Sequence, residues 1–160
     1  MAKISDLTEG GVDEFHLAEF LPYQLSRAAN AVSSRIAQVY RAEFALSVPE
    51  WRVMATLGDG GKATQRMLVA RIQMDKVAVN RACKRLEARA LVTRLPNAAD
   101  GRSHLLDLTP DGLAMHDAII PRARAIETDL LAQFDPADEA RFRATLTLIG
   151  NLAQQGGASS

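Results

Sequence analysis

Thr64-Gln-Arg-Met-Leu-Val-Ala-Arg-Ile-Gln-Met-Asp-Lys-Val-Ala-Val-Asn-Arg-Ala-Cys-Lys-Arg-Leu-Glu-Ala-Arg-Ala90 decides the reading of this chain. Thr64 is of the type that caps a helix N-terminus, and the pattern after it predicts a short helix through Ile72. Asp75 caps a second helix running to about Ala90. Two short helices in such tight succession predict a helix-turn-helix. On the second, Val79, Ala82, Cys83, Leu86 and Ala90 form an inward stripe, and the opposite face carries Lys76, Val77, Asn80, Arg81 and Lys84. Ammonium, guanidinium and amide groups on one face can bond both phosphate oxygens and base edges, and a DNA major groove is wide enough to admit a helix. A merely solvated face would look similar. Asn80 beside Arg81, with a capped helix before it and a basic-tipped hairpin after it, favours recognition. Thr64 and Gln65 at the start of the first helix and Arg94 beyond the second complete the expected duplex contacts.

Outward from this segment the periodicity changes. Leu91-Val-Thr-Arg-Leu95 and Ser103-His-Leu-Leu-Asp-Leu108 read as strands around the turn-rich Pro96-Asn-Ala-Ala-Asp-Gly101, a hairpin with a long tip. Upstream, Leu21, Leu25, Ala28, Val32, Ile36 and Val39 recur at helical spacing, which predicts one long amphipathic helix over about 20–46. Ser47-Val-Pro-Glu50 has the spacing of a capping box with proline in the first turn, and the helix it starts ends at Gly58-Asp-Gly-Gly61. Thr109-Pro110-Asp111 opens a helix whose apolar face is Leu113, Ile119, Ala123, Ile126 and Leu130, with Pro121 expected to kink it. Asp135-Pro136 starts the last helix, with Phe142, Leu146, Ile149 and Leu152 on one side. The fold class is therefore mainly α with a small β-hairpin wing. A single domain is expected over 1–160, with a winged helix-turn-helix lobe at about 47–109, helices for dimerisation at about 14–46 and 110–154, and a disordered tail at 155–160. One-sided apolar helices at both ends need covering, and two-fold pairing with a second copy would do it. Packing within the monomer is an alternative for the first helix.

Composition sets limits on function. The chain has 160 residues, of which 48% are apolar, enough to bury a core without staples. One cysteine excludes an internal disulfide, and His16, His104 and His116 show no metal-ligand spacing. A basic leader and an apolar run of about 20 residues are both missing, so a cytoplasmic protein without membrane insertion is expected. The formal net charge is zero, which by itself argues against a nucleic-acid partner. Residues 62–106, however, hold ten Lys/Arg and three Asp/Glu, a net +7, and the remainder carries −7. A basic middle on an acidic scaffold suits a segment that meets phosphate; chance clustering is the bland alternative.

Asp75-Lys-Val-Ala-Val-Asn-Arg81, Leu86-Glu-Ala-Arg-Ala-Leu-Val92, Asp100-Gly-Arg-Ser103 and Leu108-Thr-Pro-Asp-Gly112 together resemble the signature of the MarR family (multiple antibiotic resistance regulators). The resemblance extends from about Leu21 to Leu152. It implies that these segments are the recognition helix, the first wing strand, the wing and the start of the dimerisation helix. It also makes Arg102 the wing residue that enters a minor groove, with Asp100 holding the wing or a neighbouring Arg in place. A narrow minor groove concentrates negative potential and favours an inserted guanidinium; a loop salt bridge between the two is the alternative. The family usually has Gly where this chain has Ala90, so a turn of positive φ there would be strained.

The resemblance further implies an operator-binding homodimer released by a small molecule, often an aromatic acid, bound between the helix-turn-helix lobe and the dimerisation helices. Candidates here are His16, Tyr23 and Arg27, then Trp51, Arg52 and Met54, then Arg122 and Arg124. Arg binds a carboxylate in bidentate fashion, and Trp and Met supply apolar walls. Ordinary core packing would also explain Trp51, and a surface pair with Glu127 would explain either Arg122 or Arg124. Phe20-Leu-Pro-Tyr23, Pro49-Glu-Trp-Arg-Val-Met54 and Met74-Asp-Lys-Val77 resemble the branch that controls catabolism of plant-derived aromatic acids, which implies hydroxycinnamates, methoxylated benzoates or their CoA thioesters as effectors.

No Ser/His/Asp or Cys/His arrangement, glycine-rich phosphate loop or paired His ligands are present, so neither an enzyme nor a cofactor is expected. A thiol-based redox sensor using Cys83 is the rival within DNA-binding proteins, although its inward position is that of a small hydrophobe. A structural dimer that binds no DNA would leave the basic middle unexplained.

Overall fold

The computed structural model describes residues 15–156. In chain order the elements are a 3₁₀ turn Leu17–Glu19, α1 Leu21–Phe44, α2 Val48–Gly60, β1 Ala63–Thr64, α3 Gln65–Ile72, α4 Lys76–Ala88, β2 Val92–Pro96, β3 His104–Leu108, α5 Pro110–Leu131 and α6 Pro136–Gly156. Of the tail expected over 155–160, the first two residues close α6 and the rest lie outside the described residues. The chain divides into two compact units at Arg35/Ile36, with α1 running from one into the other.

In the first unit the rings of Phe15 and Phe20 meet edge to face at 5.4 Å. Gln24 donates from Nε2 to the Ala18 carbonyl at 2.8 Å, tying the helix to the 3₁₀ turn before it.

In the second unit the helix starts follow from their capping residues. The Ser47 hydroxyl accepts from Glu50 N at 3.4 Å, and the Glu50 carboxylate accepts from Ser47 N at 2.8 Å, so two orphan donors are satisfied reciprocally. Asp75 Oδ1 accepts from the Val77 and Ala78 amides at 2.9 and 3.0 Å, and Thr109 Oγ1 accepts from Gly112 N at 3.0 Å. Pro121 sits inside α5 without ending it. The core is built from one stripe of each short helix, with Val53, Met54 and Leu57 of α2, Leu68 of α3, and Val79, Cys83 and Leu86 of α4 closed over Leu106 of β3.

Two expectations need correction. The wing is a three-stranded antiparallel sheet of order β1-β3-β2, because Ala63 and Thr64 pair with Leu106 and Leu105 and add a short edge strand to the hairpin. Ala90, expected on the inward stripe, is exposed beyond the end of α4. There the chain turns left-handed, with φ 54°. An L-residue with a Cβ is strained in that region by about 1–2 kcal/mol, while glycine loses more chain entropy on folding. Ala90→Gly is therefore expected to stabilise the protein by about 0.5–1 kcal/mol, read as a higher midpoint in urea with an unchanged slope. A lower midpoint would refute strain at this turn.

The long helices bury little within one chain. α5 encloses Gly112 and Ile119, whereas Phe142, Leu146, Leu148 and Leu152 of α6 are all exposed. No α6 residue with a described side chain is buried.

Candidate nucleic-acid interface

Asp75 fixes where α4 begins, and with it which residues face out. Lys76, Arg81 and Lys84 are exposed cations on that face, and Val77 stands 53% exposed in the first turn. A bare valine there suits the C5-methyl of a thymine. Asn80 is half-buried, and its Oδ1 accepts from Nε2 of Gln65, the first residue of α3. The Thr64 hydroxyl accepts from Met67 N at 3.2 Å, so its oxygen caps α3.

The wing tip is shaped by its own polar side chains. Asp100 Oδ1 accepts from the backbone N of Arg102 at 3.1 Å, Asn97 Nδ2 donates to Ser103 Oγ at 2.8 Å, and Ser103 N donates to the Asp100 carbonyl at 3.0 Å. Asp100 thus holds the backbone of the tip, and the Arg102 side chain is exposed. Arg94 is exposed too, but its guanidinium forks onto Glu87, with Nη2 to Oε2 at 3.0 Å, and clamps β2 to the last turns of α4. All three acids of the basic segment are engaged: Asp75 as a cap, Glu87 by Arg94, Asp100 by backbone. Asp75 and Asp100 keep their charges, and the field outside α4 and the wing is set by the segment's excess of cations.

A long-range contact that sequence reasoning missed joins α4 to the end of α1. Arg89 donates from Nη1 to the Ala45 carbonyl and from Nη2 to the Phe44 carbonyl, each at 2.9 Å. Ala45 is left-handed at φ 51°, and Leu46 N donates back to the Tyr40 carbonyl at 3.0 Å. The fork of Arg89 thus satisfies helix-terminal carbonyls that have no partner inside the helix.

Cys83 is fully enclosed, and loss of solvation pushes its thiol up to about 11, against the pull of the Arg94 charge. The thiolate is the reactive form, so little of it exists near neutral pH.

The candidate effector residues fall in both units. In the first, Arg27 lies over the Tyr23 ring at 5.7 Å and His16 precedes the 3₁₀ turn. In the second, Met54 is fully enclosed, and Trp51 stacks between Tyr40 and His116 with 5.9 Å between ring centroids on each side. His116, which sequence reasoning had not singled out, also meets Asp117 at 2.9 Å. Arg122 is ion-paired, though with Glu43 at 2.7 Å and not with Glu127, which Arg143 engages at 2.8 Å. Arg122 also lies 5.4 Å over the Phe44 ring. No periodicity announces Glu43 as its partner.

Among the described residues no three His, Cys, Asp or Glu side chains converge as a metal site, and no helix is long and apolar enough to cross a membrane.

Comparison with known proteins bears on this arrangement. A sequence model of the MarR family matches residues 46–103. The HTH-type transcriptional repressor NicR of Pseudomonas putida is 31% identical over 102 residues, which are 64% of this chain and 65% of NicR. The alignment thus spans just under two thirds of that relative's length. Among solved structures, the MarR family transcriptional regulator SPO1453 of Silicibacter pomeroyi superposes with TM-score 0.76 at 30% identity, covering 88% of this chain and 99% of that one. The Bordetella bronchiseptica regulator BpsR, whose DNA binding is regulated by 6-hydroxynicotinic acid, superposes with TM-score 0.76 at 26% identity over 85% of this chain and 96% of its own. With a helix-turn-helix, a three-stranded wing and long flanking helices in the matching order, this chain belongs to the MarR family of winged helix-turn-helix transcriptional regulators.

Proposed function

We propose that this chain is a homodimeric repressor that binds pseudo-palindromic duplex DNA and is released by a small aromatic carboxylate or its CoA thioester. The observation that carries the DNA reading is the exposed row Lys76, Val77, Arg81 and Lys84 on α4, together with an exposed Arg102 on the wing, in a segment of net charge +7. α4 suits a major groove and Arg102 the adjacent minor groove. Dimerisation has its support in α6, whose exposed Phe142, Leu146, Leu148 and Leu152 would be covered by a second copy. Two recognition helices about 34–36 Å apart would then read half-sites one turn apart.

The effector class draws on BpsR, a relative controlled by a hydroxylated heteroaromatic acid. In this chain Arg122 is the anion anchor of choice. It must exchange Glu43 for the ligand, and because both side chains are 46% exposed, that ion pair is worth only about 0–1 kcal/mol. The exchange is therefore cheap. Trp51 and Met54 of the second unit would supply apolar contact, and His16, Tyr23 and Arg27 of the first are further candidates. A ligand releases DNA only through its preference for the incompetent state, and a hundredfold preference corresponds to about 2.7 kcal/mol.

The test is a labelled operator, selected from randomised duplexes, titrated with benzoates, cinnamates, hydroxynicotinates and CoA thioesters. Arg122→Ala is expected to abolish release while keeping DNA affinity within about threefold, and Glu43→Gln to lower the effector concentration needed, since it removes the competing carboxylate. Release unaffected by either substitution would remove Arg122 from the site. A redox reading has nothing comparable behind it, given the enclosed Cys83 and its raised pKa.

A further inference from the structure

An open cleft of about 560 Å³ lies between the end of α1, the start of α2 and the last turns of α4, apart from the exposed row of α4 and from the effector candidates. Arg41, Arg85 and Arg89 line it, with Ser47 and Glu50 on its α2 side and the small Ala88 leaving room along α4. Glu50 is the one acid among three arginines, so the lining carries +2.

Two of the three guanidiniums are available. Arg41 is exposed, and among the described residues no acid pairs with it. Arg85 stands 3.7 Å from Glu50 with 70% of its side chain exposed, a pair that holds it weakly. Arg89 is tied to the carbonyls of Phe44 and Ala45 but keeps its charge and further N–H groups.

The shape and chemistry of the cleft decide what suits it. No aromatic side chain lines it, whereas a small aromatic ligand is held in a largely apolar pocket that encloses most of its surface. An open basic cleft suits a chain that runs through it, and guanidinium forks match the paired oxygens of a phosphate. Arg81, Arg85 and Arg89 recur at i, i+4 along one stripe of α4, so the cleft continues the row that faces the duplex, beginning about 6 Å beyond Arg81. A helix in a major groove lies between two phosphate strands, and side chains along its flank meet them.

We propose that Arg41 and Arg85 form a phosphate site that takes one backbone phosphate of the operator in each half-site and reads no base. The site rests on the DNA-binding reading above and deepens it: α1 and the far turns of α4 join the interface, beyond the exposed row and the wing.

Anisotropy of the selected operator across a salt series tests this with the full-length protein. The double Arg41→Ala, Arg85→Ala is expected to make the slope of log affinity against log salt shallower by about two, one phosphate in each of two half-sites, with each single substitution giving part of that change. The ranking of single-base operator variants stays that of the wild type. Methylphosphonate linkages, which carry no charge, placed one at a time along each strand locate the contact: one linkage per half-site is expected to weaken the wild type by about threefold to fivefold and the double variant not at all. In the Arg102→Ala protein that same linkage keeps its effect. Arg41→Ala breaks no described side-chain contact, so it carries the test if loss of the Arg85–Glu50 pair destabilises α2. The proposal is overturned if the double variant keeps the wild-type slope, if Arg41→Ala matches the wild type at every salt concentration, or if no linkage loses its effect in the double variant. Saturable binding of pyrophosphate that the double substitution abolishes, with the salt slope untouched, would make the cleft a site for a free ligand and overturn it too. Should the wild type select no duplex at low salt, the DNA-binding reading falls, and this inference with it; a slope that Arg102→Ala changes and the double variant does not sinks this inference alone.

Discussion

Gly112→Ala is expected to lower the thermal midpoint by roughly 6–12 °C, for a loss of about 3 kcal/mol in a chain of this length. Gly112 lies in the first turn of α5, against the turn that follows α4. A Cβ at this position would stand 1.9 Å from the Leu91 carbonyl oxygen and 2.9 Å from its carbon. These are backbone atoms with no rotamer to give. α5 cannot back away, because Thr109 N donates to that same Leu91 oxygen at 3.1 Å and Thr109 Oγ1 donates to the Ala90 carbonyl at 2.7 Å. Relieving the clash means breaking one or both, at about 1 kcal/mol each, on top of the overpacking itself. Gly101 at the wing tip provides the control: a Cβ there meets nothing within 4 Å, so Gly101→Ala is expected to melt with the wild type. Circular dichroism melts of the three proteins decide the matter, and a Gly112→Ala midpoint within 2 °C of wild type would show that α5 is not seated on this turn.

The second large effect is ionic. Raising salt from 50 to 200 mM is expected to weaken operator binding by about 10³–10⁵-fold, the range for six to ten phosphate contacts. Lys76, Arg81, Lys84 and Arg102 are exposed on each protomer, and a dimer would present them twice. The sensitivity comes from these groups and not from the molecule as a whole, whose formal net charge is zero. Arg102→Ala removes one charge per protomer and is expected to make the slope of log affinity against log salt shallower by about two. Anisotropy of a labelled duplex across a salt series measures both quantities. A slope near zero in the wild type would mean that the basic middle does not meet phosphate.

Much of this architecture was legible because it is written locally. The Ser47/Glu50 box, Thr64, Asp75 and Thr109 each cap the helix that follows them, and a cap is a statement about the next three or four amides. The inward stripe Val79, Ala82, Cys83 and Leu86 was visible for the same reason, since a helix repeats every 3.6 residues. A strand of two residues has no period to detect, so β1 could not be read. Ala90 looked like the next member of the stripe, and only the left-handed turn takes it off the helix. In the candidate site the exposed face of α4 was readable, and Asp100, expected from the family resemblance to hold the wing or a neighbouring Arg, bonds the backbone of the tip, but the partners of individual arginines were not readable. Arg94 reaches Glu87, Arg89 reaches Phe44 and Ala45, and Arg122 reaches Glu43, each across a gap in sequence that periodicity does not encode. The Gln65–Asn80 bond is of the same kind, with both residues named and their contact unforeseen.

Arg89 and Arg122 grip neighbouring residues, the one taking the carbonyls of Phe44 and Ala45 and the other the carboxylate of Glu43. In mechanical terms the stretch 43–45 is a fulcrum, with α4 attached on one side and α5 on the other. A displacement of α5 at Arg122 would bear on a residue at most two peptide units from the carbonyls that Arg89 holds. The two grips differ in stiffness: a fork onto two backbone carbonyls admits little slack, whereas an exposed ion pair can be traded for another anion at small expense. An arrangement with one stiff link and one soft link yields at the soft one. A molecule that competes for Arg122 would thus alter the load on residues 43–45, while Arg89 keeps the end of α4 tied to them.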